Sequence, residues 1–391
     1  MYGILIYSQR EAERNRAAVR RYLGAFAGEL SLVHEEALLP ALRRGELGRA
    51  LPGEPAFALV RAMNPHLSRA LEELGVRVFN SAAVSALCND KRETYLRAAR
   101  AGIAHVPSVF YYGEEPLFLD GRGTVAQESA GCGSGAKGDC AEGAISEAGD
   151  AVAGVKRASA AKKSFPPAAV PEDSPSDLSP DTTGKEKNGG CAAQFSDQGG
   201  VLPPGARPCA DTAGAPDAAR ADLMSRTVAL ALARFSLPLV VKPAHGHGGS
   251  GVTLCETEDE VRAAVRALAP DAPILQPPTG ERGVDVRVYL LGGELFAAME
   301  RRGAPGDFRS NFCLGGRAVR LAPPPALREA VERTCALAAF DYAGADFLRD
   351  GERYLLNELE DVVGARMLYT YTELDPIAAF AAHIRRALST K

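Results

Sequence analysis

Short apolar runs at residues 4–7, 56–60 and 76–79 alternate with stretches, 15–26 and 67–74, whose apolar positions recur every three to four residues. The runs have the length of strands buried on both faces and the intervening segments the period of helices, which predicts a small α/β domain with a largely parallel sheet. Periodic sequence resumes at Ser225 with a helix to residue 234, a strand over 237–242, a glycine-rich turn, a strand over 251–255 and a helix over 258–268. Strands dominate 274–319, followed by a helix over 326–340, a hairpin across 343–360 and a last helix over 376–388. The chain therefore reads as an α+β arrangement of mixed sheets after an α/β start.

Between about Asp120 and Asp217 the composition shifts to Gly, Ala, Ser, Pro and scattered charges, with Phe165 and Phe195 as its aromatics. Such a stretch buries too little apolar area to offset an ordering cost of about 1–2 kcal/mol per residue, and disorder is expected. Lengthening a loop from roughly 20 to roughly 100 residues costs only about 1.4 kcal/mol of closure entropy, so the surrounding fold tolerates it. Cys132, Cys140, Cys191 and Cys209 lie in this stretch, and their irregular spacing suits an unstructured insertion better than a metal or redox site.

The formal net charge of −4, with 24% charged residues, provides no basic footprint for nucleic acid and no polybasic strip for a membrane. A small molecule or a peptide is the expected partner. The opening residues Met1 to Ser8 lack a positive n-region and read as a strand, and no stretch approaches the roughly 18 apolar residues of a membrane span. A cytoplasmic location is expected. None of the eight cysteines forms a CxxC pair, so reduced thiols are expected.

Three segments carry candidate chemistry. In Val240-Val241-Lys242-Pro243-Ala244-His245-Gly246-His247-Gly248-Gly249-Ser250-Gly251, a lysine ends an apolar strand just before a glycine-rich turn. That order can close backbone amides and an ammonium over phosphates; it is not a Walker loop, whose lysine follows the glycines and opens a helix. A flexible hairpin with a surface lysine is the plainer alternative, and His245 and His247 read as solvated loop residues before they read as ligands. Second, Asp346 sits in an apolar strand, and Glu358 and Glu360 are two apart on the next, sharing a face. Carboxylates about 5–7 Å apart repel by roughly 2–3 kcal/mol at an effective dielectric near 20, which a hard cation such as Mg²⁺ or a salt bridge relieves. A loop through 350–354 would set Asp346 beside Glu358, whereas a two-residue turn at Asp350-Gly351 would shift that register; pairing with Arg301, Arg302 or Arg353 is the alternative to a metal. Third come Asp285 and Arg287, then Glu300-Arg301-Arg302, then Asp307-Phe308-Arg309-Ser310-Asn311, a cationic and amide group suited to neutralising phosphoryl charge.

In this order the residues resemble ATP-grasp enzymes, specifically the RimK-type glutamate ligases, over nearly everything outside the insertion. The resemblance implies an ATP-grasp fold: an N-terminal α/β domain (1–84), a central lid subdomain (85–119 and 218–278) interrupted by the insertion (120–217), and a C-terminal mixed-sheet subdomain (279–391). Asn89-Asp90-Lys91 resembles the entry to the central subdomain, implying that Lys91 is the first nucleotide-contacting lysine; Lys242 with His247, Gly248, Gly249, Ser250 and Gly251 matches the second lysine and phosphate loop. Gln276-Pro277-Pro278 falls at the segment whose backbone meets adenine, and Asp285 near the ribose. Arg309, Ser310 and Asn311 are implied nucleotide contacts, with Arg309, Asn311 and Arg287 in catalytic roles, and Asp346, Glu358 and Glu360 fall at three metal positions for one or two Mg²⁺ or Mn²⁺ ions. Glu360 stands where the family usually has Asn, Pro277 and Pro278 replace an acidic-aromatic pair, and Asp361-Val362-Val363-Gly364-Ala365-Arg366 replaces a Ser-Pro-Gly-type turn beside the acceptor site.

The implied activity is an ATP-dependent carboxylate-amine ligase acting through an acyl phosphate, on a small carboxylate and an amine or peptide. Homo-oligomers are common among such enzymes, and the sequence leaves the oligomeric state open. Two alternatives stand beside it: a nucleotide-binding regulatory or scaffold protein without turnover, and a kinase-like phosphotransferase that releases a stable phosphorylated product.

Overall fold

The computed structural model describes residues 1–122, 125–126, 217–246, 248–304 and 316–390. The expected disorder of 120–217 and its four cysteines lie almost wholly outside these.

The N-terminal segment runs β1 (Gly3–Tyr7), α1 (Gln9–Arg14), α2 (Arg16–Ala25), β2 (Leu30–His34), α3 (Glu35–Arg44), α4 (Leu47–Ala50), β3 (Phe57–Val60), α5 (Pro65–Glu73) and β4 (Arg77–Phe79). Its strands form the expected parallel sheet, in the order β2-β1-β3-β4, with β2 as an edge strand that the apolar runs did not announce because four of its five residues are only half-buried. A Cβ at Gly3 would come within 2.3 Å of the Phe57 ring, so the tight β1–β3 contact depends on that glycine. The chain order β2-β1-β3 places a topological switch between β1 and β3, whose carboxyl ends, Tyr7 and Val60, open towards the cleft described below.

Next come α6 (Ala82–Asn89), α7 (Lys91–Arg100), β5 (Ser108–Tyr112), β6 (Glu115–Leu119), β7 (Val125–Ala126), α8 (Asp217–Arg234), β8 (Leu239–Pro243), β9 (Thr253–Cys255), α9 (Glu258–Ala267) and β10 (Pro273–Gln276). The six strands form one antiparallel sheet in the order β7-β6-β5-β10-β8-β9. Helix α8 begins eight residues before the expected Ser225 and packs Leu223, Met224 and Val228 into the core of this sheet with Val109, Val241 and Leu275. Helix α9 starts in a capping box between Thr257 and Glu260.

The last sheet joins β11 (Val284–Leu291), β12 (Glu294–Arg302), β13 (Arg317–Arg320), β14 (Tyr342–Asp350) and β15 (Arg353–Glu360) in the order β13-β12-β11-β14-β15, with α10 (Pro325–Cys335), α11 (Arg366–Tyr371) and α12 (Pro376–Ser389). Helix α10 ends five residues short of the expected 340, where the chain turns to bury Phe340 and enter β14. One face of the sheet packs Val286, Val288 and Phe347 against α6 and α10. The other buries Tyr289 and Tyr342 with Phe380 of α12 and Phe26, Phe57 and Phe79 of the N-terminal segment, so one core runs through both. Two buried polar side chains pin that junction. Asn80 donates to the carbonyls of Tyr342 (2.6 Å) and Asp361 (3.2 Å) and accepts from the amides of Asp341 (2.8 Å) and Tyr342 (3.0 Å). Arg61 donates to the carbonyl of Val363 at 2.6 Å.

Candidate active site

A cavity of about 890 Å³ opens between the second and third sheets and the N-terminal segment. Lys91, the first residue of α7, and Lys242, in β8, both reach it and are almost fully buried. The Lys91 ammonium donates to the Gly246 carbonyl (2.5 Å) and pairs with Glu358 (3.2 Å). The Lys242 ammonium donates to the Tyr95 hydroxyl (2.8 Å) and the Asn357 side chain (3.1 Å). Burial pushes its pKa down to about 7, with Lys91 acting in the same direction and Glu358 and Asp346 opposing. A polyanion in the cavity would restore its charge.

The turn between β8 and β9 carries Gly246, Gly248, Gly249 and Gly251 at positive φ, a backbone that side-chain-bearing residues rarely adopt. Gly248, Gly249 and Ser250 line the cavity; Gly251 lies at the turn's far end, against Pro243 and Leu268. His245, in the loop and 40% exposed, is held by two acids. Its Nδ1 lies 2.7 Å from Asp271, its backbone amide donates to the same carboxylate at 3.2 Å, and its Nε2 faces Asp90 at 3.7 Å. Asp90, which caps α7, is held in turn by Arg92. The root of the turn is thus clamped to two acids, and the Lys91 amide bonds the Ala244 carbonyl at 3.0 Å.

The carboxylate hairpin reaches its register by an unexpected route. Asp350 pairs with Arg353, so the turn is the tight Gly351-Glu352, which by itself would set Asp346 opposite Asn357. A bulge between the pairs Phe347–Leu356 and Asp346–Glu358 leaves Asn357 as the extra residue and brings Glu358 opposite Asp346, with Glu360 opposite Gly344. Neither of the two turns weighed from sequence is the one formed; the bulge supplies the register that the longer loop was expected to supply.

The acids are not clustered on each other. The Arg287 guanidinium lies between Asp346 (2.6 Å and 2.7 Å) and Glu360 (2.6 Å), and Arg301 bridges Asp346 (2.7 Å) and Asp285 (2.6 Å). Burial would raise the Asp346 pKa, but Arg287 and Arg301 outweigh it and hold it at about 2. Among the described residues no three His, Cys, Asp or Glu side chains are grouped to hold a metal ion, so the expected three-carboxylate cluster is replaced by an arginine-bridged one. Pairing with Arg301 is as the salt-bridge alternative anticipated, whereas Arg302 binds Glu300 and Glu281 and Arg353 binds Asp350. The donor set still suits a hard cation: Glu358 and Glu360 share a strand face, line the cavity and keep about a fifth of their side-chain surface open (22% each).

At the hinge between β10 and β11, Gln276, Pro277 and Pro278 line the cavity. Gln276 is turned inwards, donating to Tyr95 (3.0 Å) and Ser108 (2.7 Å), and the Thr279 hydroxyl donates to the Pro277 carbonyl at 3.0 Å. Asp285 lines the cavity with its carboxylate engaged by Arg301. His247, Arg309, Ser310 and Asn311 lie outside the described residues. Tyr95 and Asn357, which hold Lys242, and the Asp90–His245–Asp271 clamp were missed by sequence reading. The bulge had one visible signal, the consecutive apolar pair Leu355-Leu356 that breaks the alternation before Asn357-Glu358.

This architecture is the ATP-grasp fold. It superposes over 99% of the chain on a RimK domain ATP-grasp protein from Sphaerobacter thermophilus (TM-score 0.54, 15% identity, 98% of that chain) and on D-cycloserine synthetase DcsG (TM-score 0.56, 12% identity, 99% of that chain). D-alanine–D-alanine ligase from Bacillus anthracis superposes with a TM-score of 0.54 at 12% identity, over 100% of this chain and 97% of that one. Residues 219–384 match the RimK-like ATP-grasp domain. Its relatives include a probable alpha-L-glutamate ligase 1 of Shewanella amazonensis, 32% identical over 157 residues (39% of this chain, 52% of the relative), and a probable alpha-L-glutamate ligase of Stutzerimonas stutzeri, 34% identical over 130 residues (32% and 43%). The chain spans about half the length of these relatives.

Proposed function

We propose that the chain is an ATP-dependent carboxylate-amine ligase. The observation that carries this reading is the convergence of two buried lysines, a positive-φ glycine turn and a carboxylate hairpin on one cavity. Lys91, Lys242 and the amides of the turn hold the phosphates of ATP, while the hinge at Gln276, Pro277 and Pro278 receives the base. Glu358 and Glu360, which line the cavity, would hold Mg²⁺ or Mn²⁺, which when bound would supply charge neutralisation of the phosphate oxygens. Arg287 lies between Asp346 and Glu360, placed to steady the transferred phosphoryl group. Arg309, Ser310 and Asn311, with His247, are assigned to the nucleotide on family resemblance.

In the first step an oxygen of the substrate carboxylate attacks the γ-phosphorus, the bond to the β–γ bridging oxygen breaks, and ADP leaves. The amine then attacks the acyl carbon, phosphate leaves with the bonding pair, and the amine proton passes to solvent. Free carboxylates are poor acylating agents, and phosphorylation supplies their leaving group; the protein contributes positioning and electrostatics. The named activity of the relatives makes glutamate the first amine to try. The substrates are a small-molecule carboxylate and an amine or peptide; among the described residues no helix is long and apolar enough to cross a membrane.

The test is ADP release from Mg-ATP with a panel of acids and amines, hydroxylamine being present to trap acyl phosphate as hydroxamate. Lys242→Ala and Glu358→Ala are expected to abolish acid-dependent ADP release in folded protein; unchanged turnover in both would falsify the assignment. A second reading, nucleotide binding without turnover, is favoured by Arg287 filling the space between Asp346 and Glu360. Tight ATP binding with no ADP from any acid would select it.

A further inference from the structure

The phosphate-facing residues occupy only part of the cavity; the remainder lies against the N-terminal segment and the segment leading into α11. Resting on the ligase reading, we infer that this distal part selects a carboxylic acid with an apolar body and no ammonium group, an aliphatic or aryl carboxylate, as the acid to be activated.

The wall that a substrate body would touch is built rigidly. Residues 361–364 are bolted at three carbonyls: Asn80 donates to Asp361 (3.2 Å), Arg61 to Val363 (2.6 Å) and Tyr289 to Gly364 (3.2 Å). Between these anchors the half-buried Val362 lines the cavity, at the turn where this chain departs from the Ser-Pro-Gly pattern. To the same cavity the N-terminal segment contributes Met63, 43% exposed, just past β3, and Ala17 and Ala18 of α2. A pre-formed apolar wall of this kind discriminates by the area a ligand buries on it.

Charge argues in the same direction. Among the described residues of this wall, Arg10, Arg14, Arg21, Arg61 and Arg366 are cationic and Glu11 is the one acid. Glu11 is already engaged by Arg14 (3.4 Å) and by the Asn15 amide (3.1 Å), and the Arg21 guanidinium lies 4.0 Å over the Tyr369 ring. An α-amino acid bound against this wall would bring its ammonium among arginines, the wall's one acid being already engaged, whereas a plain carboxylate is drawn in by the same field. Arginines beside valine and methionine match an acid whose only charge is its carboxylate.

The experiment compares kcat/KM for hydroxamate formation with isovalerate and phenylacetate against L-glutamate, at saturating Mg-ATP with hydroxylamine as the sole amine. The full chain is used, together with Met63→Glu and Val362→Asp. Hydroxamate arises as hydroxylamine nitrogen displaces phosphate from the acyl carbon, so the readout does not depend on the natural amine. The apolar acids are expected to exceed glutamate at least tenfold, and each variant to lower their kcat/KM at least tenfold while leaving the KM for ATP unchanged. Met63 is exposed, so that variant reads specificity even where Val362→Asp perturbs folding. A preference for glutamate, or variants that leave the ratio unmoved, overturns the inference while the ligase reading stands. Hydroxamate from none of the acids overturns both.

Discussion

Replacing Lys242 by Met separates the cost of the buried ammonium from its use. Its pKa falls from 10.5 to about 7 on folding, which at 1.36 kcal/mol per unit corresponds to roughly 4–5 kcal/mol of destabilisation at pH 7. The folded pKa lies below the unfolded one, so between pH 7 and 10.5 the unfolded chain binds more protons. Wild-type stability therefore rises with pH through that window, and the cost is complete below it. The methionine keeps the aliphatic volume and loses the bonds to Tyr95 and Asn357, about 1–2 kcal/mol. Tyr95 stays satisfied, donating to the Asn357 carbonyl (2.6 Å) and accepting from Gln276 (3.0 Å). The net expectation is a gain of about 2–4 kcal/mol at pH 7, or about 3–7 °C in Tm, vanishing towards pH 10. Calorimetric or fluorescence melting of both proteins at pH 7 and pH 9.5, with and without Mg-ATP, measures it. Lys242→Met should be the more stable protein at pH 7 and show no shift with ATP. A variant less stable than wild type at pH 7, or one that keeps the ATP-induced shift, would refute the reasoning.

Four further outcomes follow from the same geometry. ATP binding at pH 8 should take up about one proton as Lys242 regains its charge, read by titration calorimetry in buffers of different ionisation enthalpy; no buffer dependence would count against a depressed Lys242. His245→Ala releases the root of the glycine turn from Asp271 and Asp90 and should raise the KM for ATP roughly tenfold with a smaller effect on kcat, with His245→Asn, which keeps a donor near the Nδ1 position, recovering part of it. Asn80→Ala strands four buried backbone groups at the junction of the N-terminal segment and the last sheet and should cost about 3 kcal/mol or more in urea unfolding. Phe380→Ala should cost about 3–5 kcal/mol by opening a cavity in the core that α12 shares with Tyr342, with ATP affinity per folded molecule unchanged.

Much of the fold was legible because it rests on local patterns. Apolar runs marked β1, β3 and β4, the helical period marked α2, α5 and α9, and the order of lysine, glycine turn, cationic strand and carboxylate hairpin pointed to a nucleotide cleft before any contact was known. Those signals depend on the neighbours of each residue along the chain, and residue order alone carries them. The half-buried edge strand β2 and the early start of α8 had weaker patterns, since their apolar faces are defined by what packs on them.

What only the tertiary structure decided is which charge meets which. That Asp346, Glu358 and Glu360 share a hairpin, with Arg301 a candidate partner, could be read from sequence; that Arg287 stands between Asp346 and Glu360 could not, because β11 and β14 meet through a pairing 59 residues apart. The bulge at Asn357 sets the register by one residue, and there Lys242 and Tyr95 meet Asn357 across more than a hundred positions of chain. His245 read as a loop histidine until Asp90 and Asp271 closed on it. Periodicity determines which faces are buried, while partner choice among charged side chains depends on distances that exist only once the sheets have packed.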